Sequence, residues 1–400
     1  MKIITRTVWM LSMVSFFTDI ASEMLYPVMP VYLKEIGFSI LLIGILEGVA
    51  EATAGLTKSY FGKLSDISGR RLPFVRFGYL LSAISKPMMA AFIFPLWIFF
   101  SRTMDRLGKG IRTGSRDALL SDEATPETKG RVFGLHRSLD TLGAVIGPSI
   151  ALLYLYLYPD DYKPLFLIAF IPGVLAISFT FLIKERNNSK SPIQLKSASL
   201  FSFVQYWKES PLLYKKLVTG LLVFTLINSS DVFLLLKVKE AGLDDTAVIG
   251  VYIFYNLVYA VAAYPLGRLS DAIGFKKTFL IGLSIFTVVY LGMGFSHSLT
   301  MFIILFFLYG IYAASTESIA KAWISNITEK KDTATAIGTY TGFQSIFTMI
   351  ASTLAGWIWL MFGAKITFLF SGIVCILIIL YILIIVSEQK QDPPGMHEVH

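Results

Sequence analysis

The chain has 400 residues, of which 55% are hydrophobic and only 16% are charged, and its mean hydropathy is +0.66. Soluble domains carry about 25% charged residues, so this composition excludes a soluble globule and predicts an all-α membrane protein with many spans. The net charge of +8 is spread over short loops between apolar stretches. That distribution excludes a nucleic-acid-binding surface and is typical of the positive-inside rule.

Apolar stretches of about 20 residues recur along the chain, and each is long enough to cross a hydrocarbon core of ~30 Å as a helix. They predict twelve transmembrane helices. The first six lie near residues 8–33, 40–61, 73–92, 96–119, 131–156 and 164–183, and the second six near 214–236, 247–266, 277–296, 299–323, 333–360 and 365–387. We therefore expect an N-terminal six-helix bundle at 1–183, a cytoplasmic linker at 184–213, a C-terminal six-helix bundle at 214–388 and a cytoplasmic tail at 389–400.

The loops on one predicted side of the membrane, together with the N-terminus and the linker, hold most of the loop Lys and Arg residues. This asymmetry predicts that both termini are cytoplasmic. The first apolar stretch carries two acids and two prolines and precedes no small-residue cleavage site, which favours a retained span over a signal peptide. We expect a multi-pass protein of a bacterial inner membrane. The single cysteine, Cys375, excludes an intrachain disulfide.

The two predicted halves repeat one another. "GKLSDISGRR" at 62–71 matches "GRLSDAIGFKK" at 267–277, and "YLKEIG" at 32–37 matches "KVKEAG" at 237–242, both with an offset of 205 residues. A third match, with an offset of 200, places Asp117 opposite Glu317. Duplication of six spans is a transporter architecture in which the substrate site lies near mid-membrane between the halves.

With this pattern the whole chain resembles the major facilitator superfamily, and the resemblance implies that fold, with two pseudo-symmetric six-helix bundles. Its best-known signature is the loop after span 2, which in the family latches the outward-open state. Glycines allow a tight turn there, and the aspartate can cap a helix start. The residues that match in the two copies are Gly62, Asp66, Gly69, Arg70, Arg71, Gly267, Asp271 and Gly274.

Two further patterns resemble family motifs. Span 5 has most of the drug-antiporter pattern, with Ala151 and Leu152 in place of its final glycine pair, and the resemblance favours efflux. In span 4, Arg102 takes the position of the family's motif arginine, but Arg106 stands where a glycine is usual. The residues of the span 5 pattern are Gly134, Gly143, Gly147 and Pro148.

Span 4 also contains the densest charge cluster of the chain, in "SRTMDRLGKGIRTGSRD" at 101–117. At 100° per residue its charged side chains share one helical face, which has to face protein or water because a charge at the bilayer centre costs roughly 3 kcal/mol. One interpretation is a static network that packs helices. The other is a set of acids that change protonation as the cavity alternates, with arginines as modulators. The candidates for proton coupling are Asp19, Glu23, Glu47, Glu51, Arg102, Asp105 and Arg106.

Other intramembrane polar residues are candidates for lining a substrate cavity. They are Tyr26, His136, Arg137, Asp140, Asn228, Asp231, Asn256, Glu317, Lys321 and Gln344. The four histidines of the chain lack a ligand spacing, so we expect no metal site.

The sequence predicts a secondary transporter rather than an enzyme. No G-x4-G-K-S/T motif is present, so we expect no cofactor and a proton gradient as the energy source. We expect a monomer in the lipid bilayer that exports a small organic solute in exchange for protons and binds no nucleic acid. The alternative is proton-coupled uptake of an organic anion held by Arg102, Arg106 and Arg137. Metal-ion export and a non-transporting sensor remain weaker alternatives.

Overall fold

The computed structural model describes residues 4–26, 28–38, 40–159, 161–185, 202–243 and 245–386, and the predicted tail at 389–400 lies outside them. The first half contains helices α1 (Arg6–Leu25), α2 (Met29–Glu35), α3 (Ile40–Ser68), α4 (Leu72–Ala91), α5 (Pro95–Asp122), α6 (Lys129–Leu157) and α7 (Lys163–Phe181). The remaining helices are α8 (Ser202–Glu209), α9 (Leu212–Ile227), α10 (Val232–Glu240), α11 (Asp245–Ile273), α12 (Phe275–Met293), α13 (Leu299–Ile327) and α14 (Thr333–Ile385).

These helices make twelve spans, because α1 with α2 and α9 with α10 each form one interrupted span and α14 forms two. Gly363 divides α14 at φ +81° and ψ 167°, a conformation that is essentially restricted to glycine. Eight described segments are long and apolar enough to cross a membrane, and the charge-rich α5 is not among them. The chain is therefore an all-α membrane protein, as predicted.

Several predicted boundaries were wrong in detail. Span 1 was predicted as one helix over 8–33, but it breaks between Leu25 and Met29, where Pro27 has no N–H to donate. Span 7 breaks likewise between Ile227 and Val232. The predicted linker contains α8, and the predicted loop at 62–72 is helical up to Ser68.

The two halves meet near one side of the membrane, the side on which α1 begins and α14 ends. We call this the terminal side and the other the opposite side. Here α6 packs along α11 and α3 packs along α14. Gly69 and Gly274, at φ +63° and +96°, turn the chain after α3 and α11 on this side.

Candidate functional site

A cavity of about 360 Å³ lies between the halves, toward the opposite side from their closest contacts. It is lined by α1, α3, α5 and α6 from the first half, and by α11, α13, α14 and the α9–α10 connection from the second. Its walls consist of Asp19, Glu23, Lys58, Lys109, Arg112, Thr113, Arg116, Arg137, Asp140, Thr141, Ala144, Asp231, Tyr252, Tyr255, Asn256, Tyr259, Glu317, Lys321, Tyr340, Thr341 and Gln344.

Small residues close the cavity toward the terminal side. A methyl group added at Gly134 would lie 2.6 Å from the carbonyl oxygen of Ala263, and one added at Gly62 would lie 2.6 Å from that of Ala334. Gly130 and Gly267 lie backbone to backbone in the same way. Glycine lets helix backbones approach this closely, so these contacts seal the terminal side of the cavity.

Asp66 joins the halves at one corner of this seal. Its carboxylate accepts hydrogen bonds from the backbone N–H and the hydroxyl of Thr335, both at 2.7 Å, in the first turn of α14. Arg71 lies 3.3 Å from Asp66 and 3.0 Å from Asp122, and it donates to the Lys330 carbonyl at 2.9 Å. The predicted gate residue Arg70 is exposed, whereas Arg71 makes the contacts.

The position of Asp66 along α3 places its carboxyl outside the hydrocarbon core. The 29 residues of α3 span about 43 Å, which exceeds the ~30 Å of the core, so about one turn extends beyond the core at each end, and Asp66 lies in the last turn. Burial in the seal raises the pKa of Asp66 to about 7, against the lowering effect of Arg71 and Thr335.

Lys129 is buried at the other corner of the seal, where its ammonium group donates to Ser121 and to the carbonyl of Ser325. Burial lowers the pKa of Lys129 to about 8.

Asp271 makes the equivalent contact from the second half. Its carboxylate accepts the backbone N–H groups of Gly130 and Arg131 at 2.7 and 3.0 Å, in the first turn of α6, and the Arg131 side chain at 2.9 Å. Each carboxylate therefore caps a helix of the other half, where unpaired N–H groups and the helix dipole attract negative charge.

Two ion pairs cross between the halves on the floor of the cavity. Arg137 of α6 pairs with Glu317 of α13, and Lys321, one turn further along α13, lies 2.8 Å from Asp117 of α5. The Glu317 side chain is 46% exposed although it lies well inside a 29-residue span. Glu317 therefore faces the cavity and not lipid, and its ion pair spans the boundary between the halves.

The other floor charges of the first half are paired within that half. Asp140 lies 2.8 Å from Arg137 and accepts a hydrogen bond from Ser15 at 2.6 Å. Arg116 lies 2.8 Å from Asp117. The floor is thus a continuous network in which acids and bases alternate.

Part of the span 4 cluster lies away from this cavity. Asp105 is 5% exposed and pairs with Lys86 of α4 at 2.8 Å, and Arg102 lies 3.6 Å from Asp105. Arg106 is not among the lining residues either. For Arg102 and Asp105 the geometry matches a packing contact between α4 and α5. Among the predicted proton-coupling candidates, only Asp19 and Glu23 of α1 line the cavity, and the side chains of Glu47 and Glu51 lie outside the described residues.

Most of the predicted cavity residues do reach the cavity wall. Arg137, Asp140, Asp231, Asn256, Glu317, Lys321 and Gln344 line it. Three others do not. Tyr26 is half exposed, His136 lies beneath the floor in a recess of about 40 Å³ beside Arg137, and Asn228 lies in the α9–α10 break without reaching the wall.

Residues that the sequence analysis did not select complete the wall. Lys109, Arg112 and Arg116 of α5, which belong to the charged face of span 4, line it. Four tyrosines also line it, namely Tyr252, Tyr255, Tyr259 and Tyr340. The first three are spaced as i, i+3 and i+7, which places them on one face of a helix, and this spacing was the available signal.

The span 5 glycines have two different neighbours. Gly143 and Gly147 pack against α1, where added methyl groups would lie 2.5 and 2.6 Å from the carbonyls of Phe16 and Ile20. Gly134 packs against α11 in the other half. Pro148 is buried within α6.

Comparisons with known proteins agree with this architecture. The model of the Major Facilitator Superfamily matches residues 11–254 and 238–398. The chain belongs to the Major Facilitator Superfamily. It is 32% identical over 388 residues to an uncharacterized MFS-type transporter of Methanocaldococcus jannaschii, covering 96% of this chain and 95% of that protein.

A second relative is a multi-drug resistance efflux pump PmrA homolog of Lactococcus lactis, 25% identical over 358 residues and 85% of each chain. The fold matches the human organic anion transporter MFSD10, with TM-score 0.78, 16% identity and coverage of 94% of this chain and 99% of that one. It also matches the Escherichia coli fucose:proton symporter FucP, with TM-score 0.76, 12% identity and coverage of 96% and 98%. This membership makes the protein a multi-pass membrane transporter and not an enzyme.

Proposed function

We propose that this Major Facilitator Superfamily member is a proton-coupled antiporter that exports a small organic solute by alternating access. In this proposal the terminal side is cytoplasmic, so the structure is the outward-facing state. The observation that carries the proposal is the Arg137–Glu317 ion pair, because it joins the halves on the floor of the cavity.

Protonation of Glu317 would remove the negative charge that attracts Arg137. The pair then weakens, and so does one of the links that keep the halves together on the terminal side. A proton arriving from the cavity would therefore favour opening to the other side, which is the coupling that an antiporter needs. The efflux function of the Lactococcus relative and the proton coupling of FucP support the proposal.

Of the three arginines that the alternative of organic-anion uptake needs, only Arg137 lines the cavity. We therefore place that alternative second.

The test uses everted membrane vesicles with a preset, acidic interior and a panel of metabolites and antibiotics. A transported compound should dissipate the pH gradient of vesicles that contain the protein. Glu317→Gln should abolish this dissipation, whereas the exposed loop variant Glu127→Gln should retain it. Undiminished proton exchange by Glu317→Gln would contradict the assigned role of Glu317, and solute transport with no movement of protons would contradict the proposed function.

A further inference from the structure

The chemistry of the cavity wall restricts the class of solute. The wall contains five acids and six bases, four tyrosines and several amide and hydroxyl side chains, and Ala144 is its only aliphatic residue among those described. A purely apolar compound would strip water from these charged groups without pairing them, which is costly. The cavity volume of about 360 Å³ lies at the low end of the range for small-molecule sites. The wall therefore fits a small, hydrophilic solute.

The charges are segregated along the cavity axis. At a rise of 1.5 Å per residue, Arg116, Arg137 and Lys321 lie about 9 to 12 Å from the terminal ends of their helices. On the same scale, Asp19 and Glu23 lie about 20 and 26 Å from the terminal end of α1. Lys58 and Arg112 are two further bases of the floor. The outer part also contains the acid Asp231 and the base Lys109. Among the lining residues, the floor therefore has five bases against the two acids Asp140 and Glu317, and the outer part has three acids against one base.

The acids of the outer part also differ from those of the floor in their pairing. Asp140 and Glu317 are each in an ion pair on the floor. Within the described part of the chain, neither Asp19 nor Glu23 forms a hydrogen bond or an ion pair within 4.0 Å, although both line the cavity. Two adjacent carboxylates with no ion-pair partner within 4.0 Å among the described residues attract a cationic group, and the rings of Tyr252 and Tyr255 can supply cation–π contacts to it.

A hydroxyl group between the two regions has no partner. Thr141 of α6 is 4% exposed and lines the cavity, yet its Oγ1 has no hydrogen-bond partner among the described residues. Thr141 lies one turn from Arg137, beside Asp140, and about 18 Å along α6, between the levels of the basic floor and the α1 acids. Buried hydroxyls are normally hydrogen-bonded, so this group can offer a hydrogen bond to a polar ligand at that level.

We infer that the cavity binds a small zwitterion whose anionic group lies toward Arg137 and Lys321 on the floor and whose cationic group lies between the α1 acids and the α11 tyrosines. This inference rests on the proposed transport function but concerns binding alone. Charges a few carbons apart would match the separation of the two regions better than adjacent charges would.

The test measures equilibrium binding to the purified full-length protein in detergent, without any gradient, by thermal shift and calorimetry. The probes are three four-carbon compounds, namely γ-aminobutyrate, putrescine and succinate. We expect γ-aminobutyrate to bind at least about tenfold more tightly than either of the other two. Equal or tighter binding of putrescine or succinate overturns the inference, and so does the absence of γ-aminobutyrate binding at tens of millimolar.

Variants separate a ligand contact from a structural role. Asp19→Asn and Glu23→Gln should weaken γ-aminobutyrate and should shift the preference of the site toward succinate, an outcome that simple destabilisation would not produce. Thr141→Val should weaken γ-aminobutyrate several-fold, and the loop variant Glu127→Gln should bind like the parent. Unchanged selectivity in folded Asp19→Asn and Glu23→Gln overturns the assignment. Zwitterion binding with no proton exchange in vesicles would instead contradict the proposed function and leave this inference standing.

Discussion

Asp66 of α3 and Asp271 of α11 make the same contact from opposite halves of the molecule. Each carboxylate accepts from the first turn of a helix in the other half, Asp66 the backbone N–H of Thr335 in α14 and Asp271 those of Gly130 and Arg131 in α6. Their positions differ by the 205-residue offset of the internal repeat. The duplicated sequence has therefore produced two matched clasps on the terminal side, and they provide the most direct tests of how that side opens.

Removing the carboxyl group of either clasp should open the terminal side. A buried N–H group left without its acceptor costs about 1 to 3 kcal/mol, so Asp66→Ala or Asp271→Ala should raise the open population about tenfold or more. Spin labels at the exposed positions 70 and 331 would report the separation of the halves in a Cys375→Ala background. The matched control is Glu127→Gln, which should leave the distance distribution unchanged. An unaltered distribution in both aspartate variants would show that the clasps contribute little to closure.

Closure of the terminal side should depend on pH through Asp66. The closed structure raises its pKa to about 7 from an ordinary value of about 4, so closure favours the protonated form. This contribution to closure is complete below pH ~4 and is lost as the pH rises through about 7. The fraction closed, followed with the same spin labels, should therefore fall over that interval. Asp66→Asn should flatten the dependence, and an identical pH profile in the variant would assign the titration to another group.

A larger side chain at the glycine contacts should prevent the terminal side from closing. Gly134 has no room for a methyl group against Ala263, so Gly134→Val should hold the halves apart and abolish transport while the protein stays folded. Gly250 is a suitable control, because a methyl group there has no neighbour within 4 Å and Gly250→Ala should remain active. Thermal midpoints and spin-label distances distinguish a protein held open from one that is misfolded. Normal closure by Gly134→Val would contradict the packing described here.

The break between the last two spans should require glycine. Gly363 has φ +81° and open space around it, so Gly363→Ala introduces backbone strain without a clash and should cost about 1 to 3 kcal/mol. Gly356→Ala, elsewhere in α14, makes only ordinary contact with Phe233 and should be neutral or slightly stabilising. Thermal unfolding in detergent would compare the two. Equal midpoints would show that the chain can turn here without glycine.

Replacing one partner of the buried ion pair between α4 and α5 should destabilise the protein more than replacing both partners. Lys86 and Asp105 are 2% and 5% exposed, and Asp105→Leu alone would leave the Lys86 ammonium group without its buried counter-charge at a cost of about 3 to 5 kcal/mol. Lys86→Met alone leaves Asp105 its contact with Arg102 at 3.6 Å and should cost less. The double variant should recover much of that loss. A double-mutant cycle on thermal unfolding measures the coupling, and additive effects would show that the two charges do not depend on each other.

The spans and the clasps could be predicted from sequence because they depend on local pattern and on repetition. Span lengths follow from apolar runs, and the repeat singles out Asp66 and Asp271 whatever the packing. The breaks after Leu25 and Ile227 were missed because the flanking apolar residues mask them, although proline in one and "NSSD" in the other were the available signals.

The lining of the cavity could be predicted only in part. Asp105 and Lys109 are one turn apart on α5, yet Asp105 is buried against α4 and Lys109 is exposed in the cavity. Depth along a helix does not fix the rotation of that helix against its neighbours. Similarly, the pairing of Arg137 with Glu317 depends on the packing of α6 against α13, which no local pattern records.

The short helix α8 lies against both halves on the terminal side. Gln205 accepts a hydrogen bond from Lys63 of α3 at 3.1 Å, and the ring of Trp207 packs against that of Phe343 of α14, with the centroids 5.9 Å apart. Separation of α3 from α14 must therefore detach α8 from one of them. The linker is thus more than a tether between two bundles, because α8 holds a contact with each bundle while the terminal side is closed.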